Sequence, residues 1–220
     1  MAGANLRGAV IFASGMENET ISRQFSPDEK GTLLEYVLDS VWTVADELNV
    51  VFKNEPDFSV IESISPFGAR VVNIQKGENS LSAIFSAFKS SRAEHCLLVN
   101  ERVPLLKPNV VLALFDAAQG FDLSIPKWKN GKVEPLLAVY RVKALLRLVS
   151  SLKTTFKDDV DLEMRSLADQ LFDVNFVSVE DNLKELDPEL DSFMEVKDEN
   201  SLALARSKAS IRGSKLKKSD

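Results

Sequence analysis

The chain has 220 residues, 45% of them hydrophobic, which suits one domain with a substantial core. A net charge of −6 argues against a general nucleic-acid binder, which needs a broad basic surface. One cysteine, Cys96, and one histidine, His95, exclude an internal disulfide, a cysteine-based zinc site and a histidine cluster, and they disfavour histidine-dependent catalysis.

The N-terminal MAGANLRGAVIF has too short an apolar run for a signal peptide. No stretch of about 18 apolar residues reads as a membrane span, so a cytoplasmic protein is expected. Ala9–Ser14 is a nearly continuous apolar run, as in a strand of a parallel sheet covered on both faces. In Gly31–Leu48 the apolar residues Leu33, Leu34, Val37, Leu38, Val41, Trp42, Ala45 and Leu48 recur at helical spacing. Asn49–Phe52 reads as strand, Pro56–Ser65 as a short helix, Arg70–Ile74 as strand and Asn79–Ser90 as helix. Cys96–Val99 is strand, and Pro108–Gln119 is a helix opened by Pro108 and closed by Gly120. This alternation predicts a parallel sheet with helices on both faces.

The rhythm then changes. DLSIPKW and VEPLLAVY flank Asn130-Gly131, a strong hairpin signal, while Pro126 and Pro135 predict irregular or edge strands. Helices are expected over Val142–Leu152 and Val160–Phe172, and a strand over Val174–Val179. Trp128, between Lys127 and Lys129, reads as a strand residue with an exposed ring, stacking on a pterin or base being the other reading. Residues 1–205 form the expected domain. Residues 206–220, with Arg206, Lys208, Arg212, Lys215, Lys217 and Lys218 against Asp220, are expected as a basic, disordered tail.

In open α/β sheets, ligands bind at the carboxyl ends of strands near the switch in strand order. Two loops therefore matter: the one from Ser14 onward, and Asn100-Glu101-Arg102-Val103-Pro104. The first has the small residues of a phosphate turn. However, no Lys or Arg stands between Gly15 and Arg23, and Glu17 and Glu19 oppose an anion.

The run NGKVEPLLAVYRVKAL, through Gly131, Lys132, Glu134, Pro135, Leu136, Ala138, Tyr140 and Arg141, resembles the late motif of the molybdenum cofactor guanylyltransferases. GTLLEYVLDSVWTVADEL resembles their first long helix, and LLVNERVPLLKPNVVLALFDAA their central strand, loop and helix. MRSLADQLFDVNFVSVED and LDPELDSFMEV resemble their C-terminal part. The resemblance spans about residues 9–205. It implies a Rossmann-like, three-layer α/β/α nucleotide-diphospho-sugar transferase fold, mostly parallel with a late β-hairpin. It also implies transfer of GMP from GTP to molybdopterin with Mg2+.

Four ligand-facing motifs depart from that family. Its L-A-G-G loop appears as Phe12-Ala13-Ser14-Gly15, with Glu19 near the family's Arg and Arg23 near its Lys. Its C-D-M-P appears as Glu101-Arg102-Val103-Pro104, placing Arg102 where the metal-binding Asp belongs. G-P-L-A-G-I appears as Asn79-Ser80-Leu81-Ser82-Ala83-Ile84. N-V-N-T-P-E-D-L appears as Glu195-Val196-Lys197-Asp198-Glu199-Asn200-Ser201-Leu202. The candidate nucleotide residues are Ala13, Ser14, Gly15 and Arg23, and the candidate metal ligand is Glu101, with Asp198 as another acid. Arg102 has two readings: direct pairing with a phosphate, or pairing with a nearby carboxylate that closes the site. Two functions stay open: a guanylyltransferase with weakened or lost activity, and a non-catalytic protein that binds a nucleotide, molybdopterin or a partner protein.

Overall fold

The computed structural model describes residues 6–14, 25, 31–74, 78–152 and 156–216. Its frame is a seven-stranded sheet in the order β3-β2-β1-β4-β6-β5-β7. The strands are β1 (Arg7–Ala13), β2 (Glu47–Phe52), β3 (Arg70–Asn73), β4 (His95–Asn100), β5 (Leu123–Lys127), β6 (Leu137–Arg141) and β7 (Val174–Ser178). Strands β1 to β4 pair in parallel, and so do β5 and β7. Strand β6 runs antiparallel to both of its neighbours.

Alternation along β1 explains its unbroken apolar sequence. Ala9, Ile11 and Ala13 enter one apolar layer, and Val10 and Phe12 enter the other. The first layer holds α1 (Leu33–Trp42), through Leu34, Val37, Leu38 and Val41, and α4 (Pro108–Ala117), through Val110, Val111, Leu114 and Phe115. The short α2 (Phe58–Ile64) adds Ile64. The opposite layer holds α3 (Ser80–Ser90), α5 (Val142–Ser151) and α6 (Val160–Ala168). The expected three-layer α/β/α arrangement is present.

Several boundaries differ from the sequence reading. Helix α1 ends at Trp42 rather than Leu48. Strand β2 already starts at Glu47, because Asp46 N–H and carboxylate bond the backbone of Arg7 and open the β1–β2 ladder. Ala45 and Leu48 are still buried in the layer that α1 faces, so the helical spacing marks the right face and overstates the helix. Helix α6 ends at Ala168, which leaves Phe172 outside it and 95% exposed. Strand β5 is internal, not an edge. Its ladder to β6 stops after two pairs, before Pro126, and Pro126 instead faces Val177 of β7. Gly131 sits at the hairpin tip with φ 89°, a conformation that favours glycine. Tyr140, fully buried, donates its hydroxyl to the Pro135 carbonyl at 2.9 Å and pins the hairpin to the sheet.

A third apolar cluster joins Phe25, Leu33 and Leu105 to Val196, Leu202 and Ala205. It docks the last helix, α7 (Glu199–Leu216), beside the end of β4. Helix α7 runs through the expected boundary at residue 205. Lys208, expected in a disordered tail, bonds Asp191 at 2.5 Å.

Candidate functional site

The sheet order turns back at β1, with β2 and β3 on one side and β4 on the other, so the switch point lies between β1 and β4. An open cleft of about 990 Å³ lies at the carboxyl ends of these strands. That is ample for a nucleotide. Phe12 and Ser14 line it from β1, Lys53 from just past β2, and Asn100, Arg102 and Val103 from the end of β4. Ser80, Lys132, Glu134, Asp158, Arg165, Glu195 and Lys197 are among the other lining residues.

Ala13 closes β1 and is buried, while Ser14 lines the cleft. Gly15 and Arg23, the other two expected nucleotide residues, lie outside the described residues. The Ser14 hydroxyl donates to Glu101 Oε1 at 3.3 Å, and Glu101 N–H bonds the Phe12 carbonyl at 3.2 Å. The two expected loops are thus tied together at the switch point. Glu101, however, is only 5% exposed and is not among the cleft-lining residues. Its neighbour Arg102 takes the lining position.

The guanidinium of Arg102 stands 3.8 Å from Glu195, which also pairs with Lys197 at 2.9 Å. The Glu195 carboxylate raises the pKa of Lys197, by hydrogen bond first and by charge second. The Arg102 carbonyl accepts the Val196 N–H at 2.7 Å. Two motifs far apart in sequence therefore meet here, and their departures from the family are matched. An Arg stands for the Asp on one side, and a Glu and a Lys stand for two asparagines on the other.

The third motif is rebuilt as well. Asn79 caps α3 through the Ser82 N–H, and Ser80 donates both its N–H and its hydroxyl to Asp158 at 3.2 and 2.8 Å. Lys53 reaches the same carboxylate at 3.3 Å. The Ser80 hydroxyl chiefly, then the Ser80 N–H and Lys53, outweigh desolvation and hold Asp158 below the usual aspartate range. Lys53 and Asp158 escaped the sequence reading because 105 residues separate them. The available signal was a lysine directly after a parallel strand, at the end where such sheets bind ligands.

Trp128 is neither exposed nor in a strand. It donates its indole N–H to Glu134 at 2.6 Å and packs edge-on against Phe193. Glu134 also holds Lys132 at 2.8 Å. Asp198, the other acid considered for a metal, accepts the Ser201 N–H and hydroxyl, each at 2.8 Å. Every described cation lining the cleft has a carboxylate partner from the chain itself.

A divalent ion needs oxygen ligands converging on one point. Among the described residues, no three His, Cys, Asp or Glu side chains converge in that way. At the end of β4 the cleft is lined by Asn100, Arg102 and Val103, a cation and no carboxylate. The described residues therefore do not fit a metal at that position. Also among the described residues, no helix is long and apolar enough to cross a membrane.

The family model of the MobA-like NTP transferase domain matches residues 14–170, most of the chain. The chain belongs to this family. Among curated relatives, the probable molybdenum cofactor guanylyltransferase of Methanosarcina mazei is 27% identical over 199 residues, covering 87% of this chain and 86% of the relative. Its counterpart from Methanosarcina acetivorans is 26% identical over 201 residues, covering 86% and 85%. Among solved structures, molybdopterin-guanine dinucleotide biosynthesis protein A from Archaeoglobus fulgidus superposes with a TM-score of 0.67 at 21% identity, covering 93% of this chain and 99% of that one. The 2-C-methyl-D-erythritol 4-phosphate cytidylyltransferase of Thermus thermophilus gives 0.62 at 16% identity, covering 93% and 100%. These two establish the MobA-like fold. The MobA-like match begins at Ser14, the residue that ties β1 to Glu101.

Proposed function

We propose that the chain binds a nucleotide in the cleft at the β1–β4 switch, and that nucleotidyl transfer to molybdopterin is weakened or lost. The relatives' names make GTP the first nucleotide to test and molybdopterin the first acceptor. In this reading Ser14, Gly15 and Arg23 meet the phosphates, and Ala13, buried at the end of β1, anchors Ser14.

The observation that carries the reading is the side chain at the end of β4: Arg102 lines the cleft with Glu195 beside it. Metal charge stabilisation is worth several kcal/mol in phosphoryl-type transfers. A cation where the family keeps its metal carboxylate removes the ligand that would hold that charge. The remaining cations offer little replacement while each is matched by a carboxylate.

The test pairs calorimetric GTP binding, with and without Mg2+, with an assay of GMP transfer to molybdopterin. Wild type is expected to bind GTP and to transfer slowly or not at all, and Arg23→Ala is expected to weaken binding. The double variant Arg102→Asp, Glu195→Asn is expected to gain Mg2+-dependent transfer. Rapid Mg2+-dependent transfer by wild type would instead establish the active-enzyme reading, with Glu101 as the nearest candidate ligand. Absence of nucleotide binding would move the search to a partner protein.

A further inference from the structure

Arginine stays protonated and presents five N–H donors with no acceptor of its own. Arg102 has its backbone fixed on both sides: its N–H donates to Asn100 Oδ1 at 2.9 Å, and its carbonyl accepts from Val196. Its guanidinium is poorly served. The approach to Glu195, at 3.8 Å, is beyond hydrogen-bond distance. Its Nε is buried and has no hydrogen-bond partner among the described residues. Glu195 is held more closely by Lys197, at 2.9 Å. The chain thus brings a planar cation with an anchored backbone to the cleft wall, its Nε unpartnered and its approach to Glu195 beyond hydrogen-bond distance. A guanidinium short of close acceptors gains from an incoming oxyanion at its terminal nitrogens.

The chemistry that matches a guanidinium fork is a phosphate or carboxylate with two oxygens in one plane. The cleft, about 990 Å³, is far larger than a single oxyanion and has room for a larger molecule that carries one. We infer that Arg102 binds the phosphates of a nucleoside polyphosphate directly, so that binding needs no divalent metal. Glu195 is the resident counter-charge that gives way to the ligand and stays neutralised by Lys197. This rests on the reading of the cleft as a nucleotide site.

The test uses the full chain in EDTA, with three probes in calorimetry: GTP, guanosine and inorganic tripolyphosphate. GTP and tripolyphosphate are expected to bind without added metal. Arg102→Gln is expected to weaken both by about ten- to a hundredfold and to leave any guanosine binding unchanged. Glu195→Gln is expected to tighten both, by about threefold or more, because it removes the competing charge. This second variant keeps the test decisive if Arg102→Gln folds poorly. A strict requirement for Mg2+, or affinities unaltered in both variants, overturns the inference while leaving the nucleotide site in place. Tripolyphosphate binding through Arg102 with no binding of GTP or guanosine supports the arginine site and overturns the nucleotide reading.

Discussion

Strands β1 and β4 behave differently along their length and at their carboxyl ends. Along their length every residue from Gly8 to Ala13 and from His95 to Asn100 is buried, and packing chiefly decides what fits. At their ends Ser14 bonds Glu101 and Arg102 meets Glu195, in a cleft whose other charges, Lys53, Lys132, Glu134 and Asp158, come from just past β2, the hairpin and the segment before α6. In the first region an error costs folding energy. In the second a change in one charge is met by a change in another, so chemistry drifts while the scaffold stays.

The comparison can be broken most forcefully in the sheet. Leu97→Ala, at a fully buried site of β4, is expected to cost about 2–5 kcal/mol in urea unfolding. Asp187→Ala is expected to cost about 3 kcal/mol, since the carboxylate is fully buried against Lys107 and also accepts the Ser192 N–H at 2.7 Å. Burial alone would raise the Asp187 pKa, but Lys107 and Ser192 outweigh it and the value is lowered from 3.8. This contribution is fully present above the ordinary aspartate pKa and is lost as pH falls through the lower folded value. Wild type and Asp187→Ala should therefore begin to converge in acid titration only as pH falls below about 4, and converge fully below the lowered folded value. Gly8→Ala is expected to cost about 1–3 kcal/mol, because a Cβ there would stand 2.3 Å from Cys96 Sγ. Thr32→Ala, which removes the capping box of α1, should cost about 1 kcal/mol. At the rim, Lys53→Ala should shift stability by less than about 0.5 kcal/mol, because its partner Asp158 is half exposed. A rim substitution as costly as Leu97→Ala would erase the distinction between the two regions.

The same contrast explains what was legible in the sequence. Burial on both faces writes itself as runs such as Ala9–Ala13, and helical spacing marks the faces of α1 and α3, so the architecture could be read directly. Turn chemistry at Asn130-Gly131 located the hairpin. Strand ends were less legible, because Ala45 and Leu48 serve the same layer whether helix or strand continues there. The rim was legible only as substitutions. Arg102, Glu195 and Lys197 could each be seen to differ, but their mutual compensation depends on a contact 93 residues apart, created by docking α7 on the third apolar cluster. Lys53, Ser80 and Asp158 left no local pattern, since their meeting comes from topology alone.

The close fit between Gly8 and Cys96 also gives the molecule a built-in clock. Cys96 is the chain's sole thiol, 0% exposed, with its proton directed to Ser91 Oγ at 3.3 Å. Desolvation pushes its pKa up to about 12, against the opposing effect of the Ser91 hydrogen bond, so almost no thiolate exists at neutral pH. An alkylating reagent can therefore label the folded chain only when β4 parts from its neighbours. The labelling rate then reports the free energy of opening the central sheet, without any probe having to be engineered.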